Sequence, residues 1–151
     1  MNKLFVLVLL LLSISSSVFA DCNLDESRWK WLFSTDNYGC YYDRNTAKIK
    51  STSTFEAWIC DYFPGHASCR FSSCINAGKD TSEHYHYTKS EYNSDRYTVL
   101  YKIMICRDKY GGVIDSIEGS PYDKPYPVIP DSIGEDIMLK IKQDLYKYRR
   151  Y

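Results

Sequence analysis

The chain carries no excess of charge of either sign, with 19 lysines and arginines against 19 aspartates and glutamates. A neutral balance supplies no general pull toward nucleic acid or acidic surfaces, so no nucleic-acid partner is expected. No Gly-x-Ser-x-Gly nucleophile elbow and no His-Glu-x-x-His zinc motif occurs, and without them two familiar hydrolase layouts are excluded. The sequence also lacks any Asn-x-Ser/Thr sequon and any internal repeat, which excludes a solenoid or propeller array. Long apolar runs are absent too, with one exception at the start.

That exception is Leu4–Leu12, preceded by Lys3 and followed by a Ser-rich stretch and Val18-Phe19-Ala20. A basic residue, a short apolar core and a small residue at the cut site define residues 1–20 as an expected secretory signal peptide. The competing reading, a membrane anchor, needs roughly 20 apolar residues. This run is shorter, so no transmembrane span is expected after cleavage. The mature chain then begins at Asp21-Cys22, and an acidic residue before Cys22 is unlike the small one that lipidation prefers. Residues 21–151 are long enough for one domain with its own core. The expected location is exported: periplasm, cell surface or secreted. All six cysteines, Cys22, Cys40, Cys60, Cys69, Cys74 and Cys106, lie in this mature part. An even number of cysteines in an exported chain reads as disulfides, of undetermined connectivity. Close spacing makes Cys69–Cys74 the first candidate bridge. Cys40, Cys60 and Cys106 fall in expected strands and are bridging candidates where Cα atoms come within about 7 Å.

What the sequence does hold is tyrosine, 15 of them, a residue with an apolar body and a polar tip that suits half-wet strands and binding surfaces alike. Period-two alternation predicts strands. Trp29, Trp31 and Phe33 fall on one strand face, Cys40 and Tyr42 on another. Phe55, Ala57 and Ile59 share a face opposite Trp58, Cys60 and Tyr62. Lys48–Lys50 reads as a short wet strand, and His84–Tyr92 as a further one. The densest run, Tyr97–Cys106, is followed by Gly111-Gly112 and by Val113–Ile117, which predicts a long hairpin. The expected sheet covers about residues 29–118. Residues 119–130, with four prolines, form an extended link. Ser132-x-x-Glu135 has the spacing of a capping box and opens a helix over about 132–148. Ile133, Ile137, Ile141, Leu145 and Tyr148 are its expected apolar stripe, with Glu135, Asp136, Lys140, Lys142 and Lys147 on the other faces. That stripe is expected to lie on the long hairpin near Val99, Tyr101 and Ile103. The fold class is therefore α+β, a meandering antiparallel sheet with one amphipathic C-terminal helix packed on it.

The aromatic start, Tyr41-Tyr42-Asp43, Glu56-Ala57-Trp58, Tyr110–Ser116 and Val128-Ile129-Pro130-Asp131-Ser132 come in an order that resembles the bacterial surface-adhesin protein E-like family. The resemblance spans about Trp29 to Leu145. It implies a small envelope domain and, by way of the adhesin branch, a host matrix or envelope protein as partner. One departure matters: Cys106 stands where that family often has a sheet cysteine bonded to one near the helix end, and this helix has no cysteine. No binding residue carries over.

Three groups of residues are weighed as sites. His66, Cys69, Cys74, His84 and His86 include metal-binding types, and His84-x-His86 points one way from a strand. Their spacing matches no standard zinc pattern, and a disulfide is the plainer reading, so no metal or other cofactor is expected. Asp43 and Asp61 stand beside aromatic strand residues as a notional acid–base pair, but strand-end aspartates commonly cap turns, and no catalytic residue is assigned. The basic, aromatic tail, Lys140, Lys142, Lys147, Arg149 and Arg150 with Tyr146, Tyr148 and Tyr151, suits anionic lipid or polysaccharide. A solvated helix end favoured by the dipole is its plainer reading. The expected role is a non-enzymatic binding, adhesive or structural one. A small exported hydrolase or metal-binding protein is the alternative.

Overall fold

A computed structural model describes residues 24–64, 83–120 and 123–147. The strands are β1 (Trp29–Ser34), β2 (Gly39–Asp43), β3 (Lys48–Ile49), β4 (Thr54–Phe63), β5 (His84–Asn93), β6 (Thr98–Asp108), β7 (Val113–Glu118) and β8 (Tyr126–Pro127). They form one antiparallel sheet in the order β1-β2-β4-β5-β6-β7, with β3 on β4 and β8 on β6. The helix α1 (Ile133–Lys147) follows, so the architecture is the α+β arrangement expected. The 119–130 link is not wholly unpaired, since Tyr126-Pro127 docks beside Thr98-Val99.

Turn chemistry accounts for the hairpins. The Thr35 hydroxyl accepts the N–H groups of Asn37 and Tyr38, each at 3.2 Å, and closes β1–β2. At the tip of β6–β7 the Asp108 carboxylate accepts the N–H of Tyr110 at 2.9 Å and of Gly112 at 2.7 Å. Gly111 takes a φ of 84° there, a conformation open to glycine at little cost. At the start of α1 the Ser132 hydroxyl accepts the Glu135 N–H at 3.3 Å, and the Glu135 carboxylate accepts the Asp131 N–H at 2.7 Å. The capping box thus closes one residue earlier than its usual form.

Alternation along β2 and β4 places side chains on the two faces as expected. Cys40, Tyr42, Phe55, Ala57 and Ile59 join Leu32, Tyr92, Val99, Val128, Met138 and Ile141 in the core beneath the helix. Cys60, Tyr62 and Tyr85 form a second cluster on the opposite face with Leu24, Trp29, Tyr41 and Tyr87. Its rings stack at 5.0 Å (Tyr62–Tyr85) and meet edge to face at 5.5 Å (Trp29–Tyr87).

Three bulges interrupt the described strands, and those in β1 and β6 overturn the simple alternation expected. In β1, Trp31 pairs with Tyr41 but Phe33 pairs with Cys40, leaving Leu32 as an extra residue. Trp29, Trp31 and Phe33 therefore do not share a face. Leu32 enters the core at 4% exposure, Trp31 stands 57% exposed, and Phe33 packs on the helix side. In β6, Tyr101 opposes Ser90 and Ile103 opposes Lys89, so Lys102 is the extra residue. An inserted residue shifts every later side chain to the other face. Val99 stays under the helix, whereas Ile103 is carried away from it.

The docking of α1 differs accordingly. Its fully buried residues are Met138 and Ile141, flanked by Ile137, Leu145 and Tyr146, while Ile133 is 50% exposed. Tyr148 lies outside the described residues. A helix of 3.6 residues per turn rotates about 40° beyond a full turn every four residues. Ile133 and Leu145 are thus about 120° apart, and one straight contact cannot bury both. Met138 takes the place of Ile133. The contact is centred on β2 and β4 through Tyr42, Phe55, Ala57 and Ile59, with Val99 at its margin and Tyr101 41% exposed.

Candidate functional site

The helix crosses the edge of the sheet at β1, and a groove of about 250 Å³ opens between them. Lys30, Trp31, Leu32 and Tyr42 line it from the sheet; Lys140, Gln143, Asp144 and Lys147 line it from α1. The four helix residues recur at intervals of three, one and three, which is one face of an α-helix. Lys30 reaches that face because it pairs with Tyr42, whose side chain is on the helix side of the sheet.

The floor is held rigidly. Asp144 accepts hydrogen bonds from the Lys30 ammonium through one oxygen and from the Tyr42 hydroxyl through the other. Burial alone would raise the Asp144 pKa, but the Lys30 and Tyr42 hydrogen bonds outweigh it and hold the carboxyl below its usual range. Burial pushes the Tyr42 hydroxyl above its ordinary value, and the Asp144 carboxylate adds to that rise. Arg44 acts on both groups from the strand end. Above the floor, Lys140 donates to the Leu32 carbonyl at 3.2 Å and lies 5.8 Å from the centre of the Phe33 ring. Trp31 borders the groove, but it pairs with Tyr41 on the face away from the helix, and its indole N–H donates to the Ser34 hydroxyl at 2.8 Å. Lys30, Arg44, Lys140 and Lys147 thus surround a single carboxylate.

The groove draws together part of the basic tail and residues from far along the chain. Lys140 and Lys147 line it, whereas Lys142 turns away and donates to the Ser94 hydroxyl at 2.8 Å. Arg149, Arg150, Tyr148 and Tyr151 lie outside the described residues. The α1 spacing was legible in the sequence, but nothing there brings Lys30 to the helix. The register of β1 on β2 does so, by setting Lys30 opposite Tyr42.

Asp43 and Asp61 do not face one another. Asp61 pairs with Cys40 on the helix side, and Asp43, an odd number of residues from Cys40, points to the other side. The Asp43 carboxylate accepts Arg28 at 2.7 Å, the Asn45 N–H at 3.0 Å and the Thr46 hydroxyl at 2.8 Å. It anchors a turn.

His84 and His86 are buried on the helix side, their rings 5.0 Å apart and both against Phe63. His66, Cys69 and Cys74 lie outside the described residues, as does Cys22. Among the described residues no three histidine, cysteine or carboxylate side chains gather closely enough for a metal ion. Cys40, Cys60 and Cys106 are buried and not bonded to one another. Cys40 and Cys60 sit on opposite faces of neighbouring strands, and Cys40 and Cys106 share a face with β4 and β5 between them. At about 4.8 Å per strand the latter pair is roughly 14 Å apart, twice the span of a disulfide. Burial, with Asp61 close by, pushes the Cys40 thiol far above its usual pKa, which leaves it a poor nucleophile.

No helix among the described residues is long and apolar enough to cross a membrane. Compared with known protein families, with curated proteins and with solved structures, the chain matches none.

Proposed function

We propose that this is an exported envelope domain that acts by binding, in an adhesive or structural role, and not by catalysis. The groove between β1 and α1 carries the reading. It is open, rimmed by cations and floored by a carboxylate already committed to two hydrogen bonds. Such a surface offers contacts and charge without an acid and base free to move a proton. The signal-like residues 1–20, the six cysteines and the order of motifs resembling the surface-adhesin E-like family support export and an envelope location.

The test has two arms. Protein secreted from an expressing cell is sequenced at its N-terminus, with Asp21 expected first. The mature protein is then titrated against immobilised matrix proteins and run through a broad hydrolase screen. Saturable binding without turnover is the expected result. Turnover that disappears in Asp43→Asn or Asp61→Asn overturns the reading.

A further inference from the structure

We infer that Cys22 is joined to Cys60 by a disulfide in the mature protein, so that the start of the mature chain is stapled to the sheet face opposite the helix. This rests on the exported, oxidising setting proposed above, and it gives Cys22 a protein partner and not a lipid.

The lead-in to β1 is fixed by its own hydrogen bonds. The Asp25 carbonyl accepts the N–H of Arg28 at 3.0 Å and of Trp29 at 2.8 Å, and the Asp25 carboxylate accepts the Ser27 N–H at 2.9 Å. The Arg28 side chain donates to Asp43 at 2.7 Å, and the Arg28 carbonyl accepts the Arg44 N–H at 3.0 Å. This turn lays Leu24 against the cluster of Cys60, Tyr62 and Tyr85, beside Trp29, Tyr41 and Tyr87. Cys60 sits at the middle of that cluster by register, opposite Tyr41 on one side and Tyr87 on the other. The Tyr87 ring in turn meets Trp29 at 5.5 Å. Cys22 stands two residues before Leu24 in the sequence, a step of at most about 7 Å. A disulfide needs Cα atoms within about 7 Å. Anchoring Leu24 on the Cys60 cluster therefore brings Cys22 within bridging range of Cys60.

The other two sheet thiols are placed against such a bridge. Cys40 and Cys106 face the helix side, across the thickness of the sheet from Leu24. Cys40 also lies opposite Phe33, about 13 Å along β1 from Trp29. Cys106 is in β6, four strands from β1 and about 19 Å away. The oxidant is a protein disulfide of the oxidising compartment. The Cys22 thiolate attacks it, which breaks that S–S bond, releases one thiolate and leaves a mixed disulfide. The Cys60 thiolate then attacks the Cys22 sulfur and expels the second thiolate. Two S–H bonds are lost, one S–S bond forms, and the oxidant leaves as a dithiol carrying the two electrons and two protons. Cys60 is fully buried, so the folded sheet then shields the finished bond from reductants.

The test is peptide mapping of the full mature protein taken from an oxidising compartment. Thiols are alkylated under denaturing conditions, and the unreduced chain is cut with trypsin and on the N-terminal side of aspartates. The cut before Asp61 separates Cys60 from Cys69, and the cut after Arg28 isolates Cys22 from the sheet. The expected product is the Cys22 peptide joined to the Cys60 peptide, and it disappears on reduction. In Cys22→Ser this product is lost and Cys60 becomes alkylated, while the labelling of Cys40 and Cys106 stays as in the parent. In Cys60→Ser it is Cys22 that becomes alkylated. Circular dichroism establishes that each variant is folded, and the parent map stands without them. The inference is overturned if Cys22 is found joined to any cysteine other than Cys60, if it is alkylated while other cysteines are bridged, or if it carries a diacylglyceryl thioether. In those three cases the exported setting stands. Should all six cysteines be alkylated in the parent, the bridge and the oxidising setting fall together.

Discussion

Glu56 and Glu91 sit directly opposite each other on β4 and β5, a placement that is unfavourable for like charges. Lys102, the bulged residue of β6, resolves it. Its ammonium donates to Glu56 at 2.8 Å and to Glu91 at 2.7 Å, while Lys89 and Lys50 approach from either side. Burial would raise the Glu56 pKa, but hydrogen bonds from Lys102 and Lys89 overcome it and hold the carboxyl at about 2. Burial likewise opposes the Lys102 ammonium, but Glu56 and Glu91 keep its pKa above the usual lysine value. Glu56 takes up protons in the unfolded chain near pH 4.5 and in the folded one only near 2. The unfolded state therefore binds more protons between these values, and stability rises with pH across that window. The contribution is present above about pH 4.5 and lost as pH falls toward 2. Lys102→Met should cost about 1–3 kcal/mol at neutral pH, because it leaves two facing carboxylates with fewer partners. It should also flatten the stability curve between pH 2 and 4.5, as read by denaturant melts at a series of pH values. A variant whose acid limb is as steep as the parent's would mean that Lys102 does not set the Glu56 titration.

At the level of elements, the helix is held by a patch two turns long. Ile141 is fully buried in the core cluster that also holds Tyr42, Phe55 and Ala57, so Ile141→Ala should cost about 2–5 kcal/mol. Ile141→Asp should cost more, since nothing in that patch pairs a charge. Ile133→Ala, at a half-exposed site, should change stability by less than about 0.5 kcal/mol. Urea melts of the three variants separate the docked stripe from the line of residues four apart. If Ile133→Ala and Ile141→Ala destabilise equally, the helix is rotated from the position described. Lys142→Ala is not the neutral surface change that its place off the apolar stripe implies. It removes the hydrogen bond to Ser94 on a half-buried site and should cost about 0.5–1.5 kcal/mol. The pattern of the helix was plain in the sequence, as were its cap and its charges. Which part of the pattern meets the sheet was not, because that follows from the axis direction and from where β1 and β6 are bulged.

For the molecule as a whole, the sheet keeps Cys40, Cys60 and Cys106 apart, so none of the three can bridge another without rearrangement. If all six cysteines oxidise within one chain, each bridge must join one of these three to one of Cys22, Cys69 and Cys74. A Cys69–Cys74 bridge is incompatible with that, because it leaves two sheet cysteines with no partner in reach. Non-reduced peptide mapping of protein from an oxidising compartment is expected to find bridges of the mixed kind only. A bridge between any two of Cys40, Cys60 and Cys106 would contradict the register of β2, β4, β5 and β6.

The sequence alone determined the elements and their order. Alternation, turn residues, the proline-rich link and the capping box are local signals, read within a few residues, and they specified a meander followed by a helix. It also specified most of the core in β2 and β4, where alternation runs unbroken. Only the tertiary structure decided which face each half of β6 presents, since one inserted residue at Lys102 reverses the pattern and leaves no composition mark. The same holds for the groove. Lys30 and Asp144 are 114 residues apart, and Phe33 reads as one more residue on the face of Trp29 and Trp31 until the bulge at Leu32 moves it to the helix side. Contacts of that kind depend on how the strands register and where the helix comes to lie, which no window of sequence contains.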